Sequence, residues 1–128
     1  MRSTTRRFLS GLAVAGLLSV ASLAVAAPAF RQGLLTDPKG ITLYTFGNEV
    51  AGSGESLCTG VCSANWFAYL AAKGDKAKAG SDIGIIVRTD GQAQWAFKGM
   101  LLYRFYDDRK PGDAKGDGLR GVWKAVRP

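Results

Sequence analysis

Lys39 to Glu49 aligns without a gap on Lys98 to Asp108, each position 59 residues further along the chain. Lys39/Lys98, Gly40/Gly99, Leu43/Leu102, Tyr44/Tyr103 and Phe46/Phe105 are identical, and Glu49 falls opposite Asp108. Trp66 and Trp123 correspond more loosely, at a slightly different offset. Self-similarity of this kind marks supersecondary units that bury their apolar faces only by stacking on one another. It predicts one small domain of two related units, about 31–70 and 90–127, with pseudo-two-fold character.

Each unit reads as β structure. In the first, Arg31 to Thr36 and Ile41 to Phe46 flank an Asp37-Pro38-Lys39-Gly40 turn. In the second, Ile83 to Arg88 and Gln92 to Phe97 flank Thr89-Asp90-Gly91. Lys98-Gly99 then turns the chain into Met100 to Tyr106. Alternation at period two puts Tyr44 and Phe46 on one face of their strand, and Leu101, Tyr103 and Phe105 on the matching face of theirs. A last short strand is expected over Val122 to Val126. Ser63 to Ala72, after the two cysteines, is the one stretch that reads as a helix. Gly47 to Glu55, Lys73 to Gly80 and Asp107 to Gly118 read as loops. The fold expected is mainly β: a small single domain of two hairpin or meander repeats with one short helix after the Cys pair.

The start of the chain follows a different logic. Arg2, Arg6 and Arg7 precede a stretch, Phe8 to Ala27, with no charge and a surplus of Leu, Val, Ala and Gly. Ala24-Val25-Ala26 then offers small residues where a signal peptidase reads them. This order predicts a cleavable signal peptide over 1–26 and a secreted domain over 27–128. The cut is placed after Ala26 because one residue later Pro28 would adjoin the scissile bond. An uncleaved membrane anchor is the alternative, since about 20 apolar residues suffice to span a bilayer. Arg6-Arg7-Phe8-Leu9 resembles a twin-arginine signal without its usual spacer before the Phe.

Three of the 17 basic residues lie in that leader, so the remaining 14 against 10 acids leave the domain a net charge near +4. The charges are interspersed, and Lys73, Lys76 and Lys78 sit among Ala, Gly and Asp as a solvated loop would. No dense basic run carries stacking aromatics, which argues against nucleic acid as a partner. Membrane association follows only if the leader stays attached. The chain has no histidine. It therefore lacks the commonest general base and transition-metal ligand, and no Ser-His-Asp or Cys-His site can be assembled. No catalytic residue, cofactor or metal site is expected, and the protein is not expected to be an enzyme.

Cys58 and Cys62 are the only cysteines. In an oxidising compartment two neighbouring thiols usually pair, and a disulfide is the expected state. Closing so small a ring contributes about 2 kcal/mol. A haem site would need a two-residue spacer and a His, and a zinc site two further ligands. A redox or copper dithiol is chemically possible because thiolates bind soft Cu(I), but Met100 is the only other soft ligand outside the leader.

Several motifs recur together: Gly40-Ile-Thr-Leu-Tyr44-Thr-Phe46, Cys58-Thr-Gly-Val-Cys62 with Trp66, Trp95 ahead of Lys98-Gly99, Leu102-Tyr103-Arg-Phe105-Tyr-Asp-Asp108, Lys110-Pro-Gly-Asp113 and Gly121-Val-Trp123. In these the chain resembles the bacterial secreted repeat of unknown function, also described as predicted lipoproteins with a Tyr-x-aromatic-x-x-Asp motif. The resemblance covers nearly all of the domain and implies an exported repeat, with no activity attached. Two departures stand out: Glu49 replaces the first motif's Asp, and the lipid-bearing Cys of many relatives is missing, which implies a form free in the periplasm or outside.

For Tyr44, Phe46, Glu49, Tyr103, Phe105 and Asp108 two roles compete. The aromatics fill the core while the acids accept backbone N–H groups of the next turn, or the tyrosines and acids line a binding surface. The first is favoured because strand aromatics are ordinarily core. Asp113-Ala-Lys115-Gly-Asp117-Gly118 has the outline of a calcium loop, but Lys115 and Lys124 occupy positions where oxygen ligands belong, so a Gly- and Asp-rich turn is expected. The functional expectation is a periplasmic or secreted, non-catalytic binding module for an unidentified protein or small ligand, with a redox or copper role for Cys58 and Cys62 as the alternative.

Overall fold

The computed structural model describes residues 26–128 and, ahead of them, residues 10, 11, 13, 15 and 16. The expected leader thus lies almost wholly outside the described residues.

β1 (Ala29–Arg31) and β2 (Leu34–Thr36) form a hairpin. Its two turn residues, Gln32 and Gly33, both have positive φ (52° and 79°), which the tight turn between right-twisted strands requires. The single strand expected over Arg31 to Thr36 is therefore corrected to a turn plus a second strand; Gln, unlike Asn or Asp, gives little warning of a left-handed conformation. β3 (Tyr44–Phe46) follows. A long loop then leads to α1 (Val61–Asn65) and β4 (Trp66–Ala68). β5 (Ile83–Val87) and β6 (Ala93–Phe97) form the expected hairpin, which Lys98-Gly99 extends to β7 (Met100–Leu101). β8 (Tyr103–Phe105), a 3-10 turn over Leu119–Gly121 and β9 (Trp123–Ala125) complete the chain.

The expected helix over Ser63 to Ala72 is also corrected. The helix is one turn long, starts between the cysteines rather than after them, and buries none of its residues. At Trp66 the backbone becomes extended. Trp66, Phe67 and Ala68 pair with Phe105, Arg104 and Tyr103 of β8. A helical Trp66 could not present its ring to the sheet face, whereas a strand buries it there and satisfies its backbone on a neighbour.

Three sheets result: β1-β2, β5-β6-β7 and a four-stranded sheet in the order β4-β8-β3-β9. The middle pair, β8 and β3, meets at Tyr44 opposite Tyr103. β4 pairs with β8 from the other segment, and β9 with β3. Exchanging β3 with β8 and β4 with β9 leaves this order unchanged. Backbone bonds outside the ladders repeat the pattern: Leu43 N–H donates to Leu35 and Leu102 N–H to Trp95, Leu35 N–H to Val126 and Trp95 N–H to Tyr69, and Gly47 N–H to Val122 and Tyr106 N–H to Asn65.

Period-two alternation sends neighbouring residues to two cores. One holds Tyr44, Phe46, Trp66, Tyr103, Phe105 and Trp123, with Leu101, Ala125 and Cys58. The other holds Leu35, Leu43, Tyr69, Trp95, Leu102 and Val126. In the first core the Trp66 and Trp123 rings stack with centroids 3.7 Å apart and an interplanar angle of 3°, Phe46 stacks on Trp123, and Trp66 lies 4.5 Å from Phe105. Such aromatic pairs add about 0.5–1.5 kcal/mol each beyond the area they bury.

Candidate functional site

Tyr44 and Tyr103 are 0% and 1% exposed, so neither forms part of a binding surface. Their hydroxyls are exchanged between the two segments. Tyr44 donates to Asp108 Oδ2 (2.5 Å) and Tyr103 to Glu49 Oε2 (2.5 Å). The acids also tie down the loops that follow them: Lys115 N–H donates to Asp108 Oδ1 (2.9 Å) and Leu57 N–H to Glu49 Oε2 (2.8 Å). Gly116 N–H donates to the Tyr44 oxygen (3.3 Å), while Ser56 Oγ lies 2.7 Å from the Tyr103 oxygen. Burial, reinforced by the neighbouring carboxylate, holds both phenols well above the ordinary tyrosine range. They remain donors at any physiological pH.

The two acids are not equivalent. Both Asp108 oxygens are bonded. Glu49, one methylene longer, uses Oε2 twice and leaves Oε1 buried without a partner. Desolvation raises the Glu49 pKa, and the bonds from Tyr103 and Leu57 only partly counteract it.

These buried locks position a surface feature above them. Phe46, Phe105, Trp66 and Trp123 form the floor of an open cleft of about 480 Å³. Its floor thus draws on both segments. Its rim comes from α1, the turn after β8 and the 3-10 turn: Val61, Tyr106 and Leu119 are exposed, Val61 to 83% and Tyr106 to 52%. Exposed apolar side chains converging from three stretches around an aromatic floor are a recognised mark of a binding site. Asn48 and Asn65 add amide groups, and Arg120 is the only charged residue in the lining among the described residues. Arg120 makes no ion pair among the described residues. Its backbone is left-handed (φ 54°, ψ 17°), a conformation costing a non-glycine residue about 1–2 kcal/mol.

The cleft was not visible in the sequence reading. Asn48, Val61, Asn65, Tyr106, Leu119 and Arg120 come from separate stretches of the sequence with no common spacing, and the pairing of β4 with β8 and of β9 with β3 brings those stretches together. Of the six candidate residues of the Tyr-x-aromatic-x-x-acid motif, only Phe46 and Phe105 line it.

Cys58 and Cys62 lie at disulfide distance, with Cα atoms 5.1 Å apart. Cys58 packs in the first core, and Cys62 touches the cleft. No group of three or more Cys, Asp or Glu side chains among the described residues could hold a metal ion. In the Gly- and Asp-rich turn, Asp113 accepts the Arg109 and Lys110 N–H groups, and Asp117 accepts Ala125 N–H and pairs with Arg127. These acids serve the backbone, which fits the expected turn.

No helix among the described residues is long and apolar enough to cross a membrane. No curated protein and no solved structure matches the chain. Residues 84–127, from β5 to just past β9, match the family model described as a secreted repeat of unknown function, the family the sequence resembles.

Proposed function

We propose that the protein is an exported, non-catalytic binding module whose site is the aromatic cleft, and that it takes a flat apolar molecule bearing a carboxylate. The observation that carries this reading is the pairing of an apolar floor and rim with one guanidinium that makes no ion pair among the described residues. A planar ligand covers the rim side chains, and its carboxylate meets Arg120 with the fork geometry that guanidinium groups favour. The asparagines supply orientation. Among the described residues the lining holds no carboxylate, lysine, serine or threonine; its polar groups include the Asn48 and Asn65 amides, the Tyr106 phenol, Arg120 and the Cys62 sulfur. Recognition without chemistry is what this set of groups suits. Holding Arg120 in a strained backbone conformation is the kind of cost found at working sites. In this reading the two segments are duplicated units that exchange strands, the tyrosine–acid locks fix their mutual position, and the Cys pair anchors the Val61 side of the rim.

Calorimetric titration with 2-naphthoate tests it. The expected result is saturable binding to the wild type, weakened about tenfold or more in Arg120→Gln, consistent with the loss of one charge-assisted hydrogen bond. The neutral analogue 2-naphthalenemethanol should bind both proteins alike. Absence of saturable binding, or equal affinity of both proteins for naphthoate, would refute it.

A further inference from the structure

The residues around the expected leader cut are built into the fold. The Tyr69 hydroxyl donates to the carbonyl of Ala26, the acyl side of the Ala26–Ala27 bond. Burial keeps this phenol above its ordinary pKa, so it holds its proton. Ala27 packs on the core of Leu35, Leu43, Trp95 and Leu102. Pro28 is buried, and at Ala29 the chain enters β1, with Ala29 opposite Thr36. One residue on, Phe30 meets Phe97 edge to face at 5.9 Å. Only Ala27 and the buried Pro28 thus separate the scissile bond from the first strand.

We infer that the folded domain shields its own processing site, so the leader is removed while the chain is still unfolded. The inference rests on the reading of 1–26 as a cleavable leader. Peptidases engage several residues on each side of the scissile bond in extended form, and a folded substrate is cut in proportion to the fraction locally opened. Here opening requires Tyr69 to release Ala26, Ala27 and Pro28 to leave their packing, and β1 to detach from β2. The reaction itself is hydrolysis: water adds across the Ala26–Ala27 bond, giving a carboxylate on the leader and an ammonium on the domain. A route that exports the domain already folded would present the peptidase with the shielded bond. The twin-arginine reading of Arg6-Arg7 is therefore disfavoured, and passage as an unfolded chain is favoured.

The test uses full-length precursor in detergent micelles with purified signal peptidase, following the new N-terminus by mass spectrometry. One variant carries Gly-Ser-Gly-Ser-Gly-Ser between Ala27 and Pro28, which keeps the recognition residues and moves the bond clear of the fold. A second, Gly116→Trp, disrupts the distant aromatic core and leaves the cut region unchanged. Both should be cut after Ala26 at least ten times faster than the wild type. Equal rates for all three would overturn the shielding while upholding the leader. Failure of both variants to be cut at that bond would overturn the leader reading, and the inference with it.

Discussion

Removing one hydroxyl, with Tyr44→Phe, tests the exchange of tyrosines and acids between the two segments. The ring stays and its contacts with Trp66 and Phe105 are kept, so only the polar lock changes. Asp108, 8% exposed, loses the donor on Oδ2 and retains only Lys115 N–H on Oδ1. Gly116 N–H loses its acceptor as well. A hydrogen bond to a charged group contributes about 1.5–3 kcal/mol, and orphaning a buried amide adds about 1 kcal/mol or more, so the expected cost is about 3 kcal/mol. For a domain of this size that is a drop of about 12–24 °C in Tm. Urea unfolding followed by tryptophan fluorescence measures it, with Tyr106→Phe at an exposed position as the control. The Tyr44→Phe/Asp108→Asn double variant should cost less than the sum of its parts by about 1.5 kcal/mol or more, because removing the charge relieves the orphaned carboxylate. A Tyr44→Phe effect within about 0.5 kcal/mol of the control, the usual scatter for surface changes, or strict additivity in the cycle, would refute the lock.

Glu49, whose pKa is raised in the fold, favours folding most when protonated; this contribution is complete below the ordinary Glu pKa and is lost as pH rises through the higher folded value. Glu49→Gln should therefore flatten stability against pH across that window, as read from urea midpoints between pH 4 and 7. Gly116→Ala should destabilise by about 1–3 kcal/mol, because a Cβ there would lie 2.5 Å from the Trp66 ring and 2.9 Å from that of Phe105. Opening the Cys58–Cys62 ring with a Cys58→Ser/Cys62→Ser pair should cost about 2 kcal/mol in thermal unfolding. Arg120→Gly should raise stability by about 1 kcal/mol, by relieving the left-handed backbone, while abolishing the preference for naphthoate over its neutral analogue.

The sequence disclosed the elements that obey local rules. The β5–β6 hairpin, the Lys98-Gly99 turn and the aromatic faces of β3 and β8 follow from period two and turn chemistry, and the structure places them as expected. Two misreadings have a physical cause. Ser63 to Ala72 looks helical only while its partner is unknown; the free edge of β8, 35 or more residues away, makes Trp66–Ala68 a strand. Met100 to Tyr106 looks like one strand, but Leu102 faces the second core and separates β7 in one sheet from β8 in another. Which tyrosine would meet which acid was likewise not legible. The acids do accept backbone N–H groups of the loops that follow them, as expected, but the tyrosine that each also meets comes from the other segment, Tyr44 from 64 residues before Asp108. The cleft and Arg120 lie beyond sequence reading for the same reason: they exist only where the two segments meet.

Amide and indole chemical-shift mapping of the isotope-labelled domain on addition of 2-naphthoate locates the ligand directly. The expected shifts are confined to Asn48, Val61, Asn65, Tyr106, Leu119 and Arg120 and to the indole N–H signals of Trp66 and Trp123, and they vanish in Arg120→Gln at the same ligand concentration. Shifts scattered over the lysine-rich loop or the β1–β2 hairpin, with the cleft residues unmoved, would contradict the cleft as the binding site.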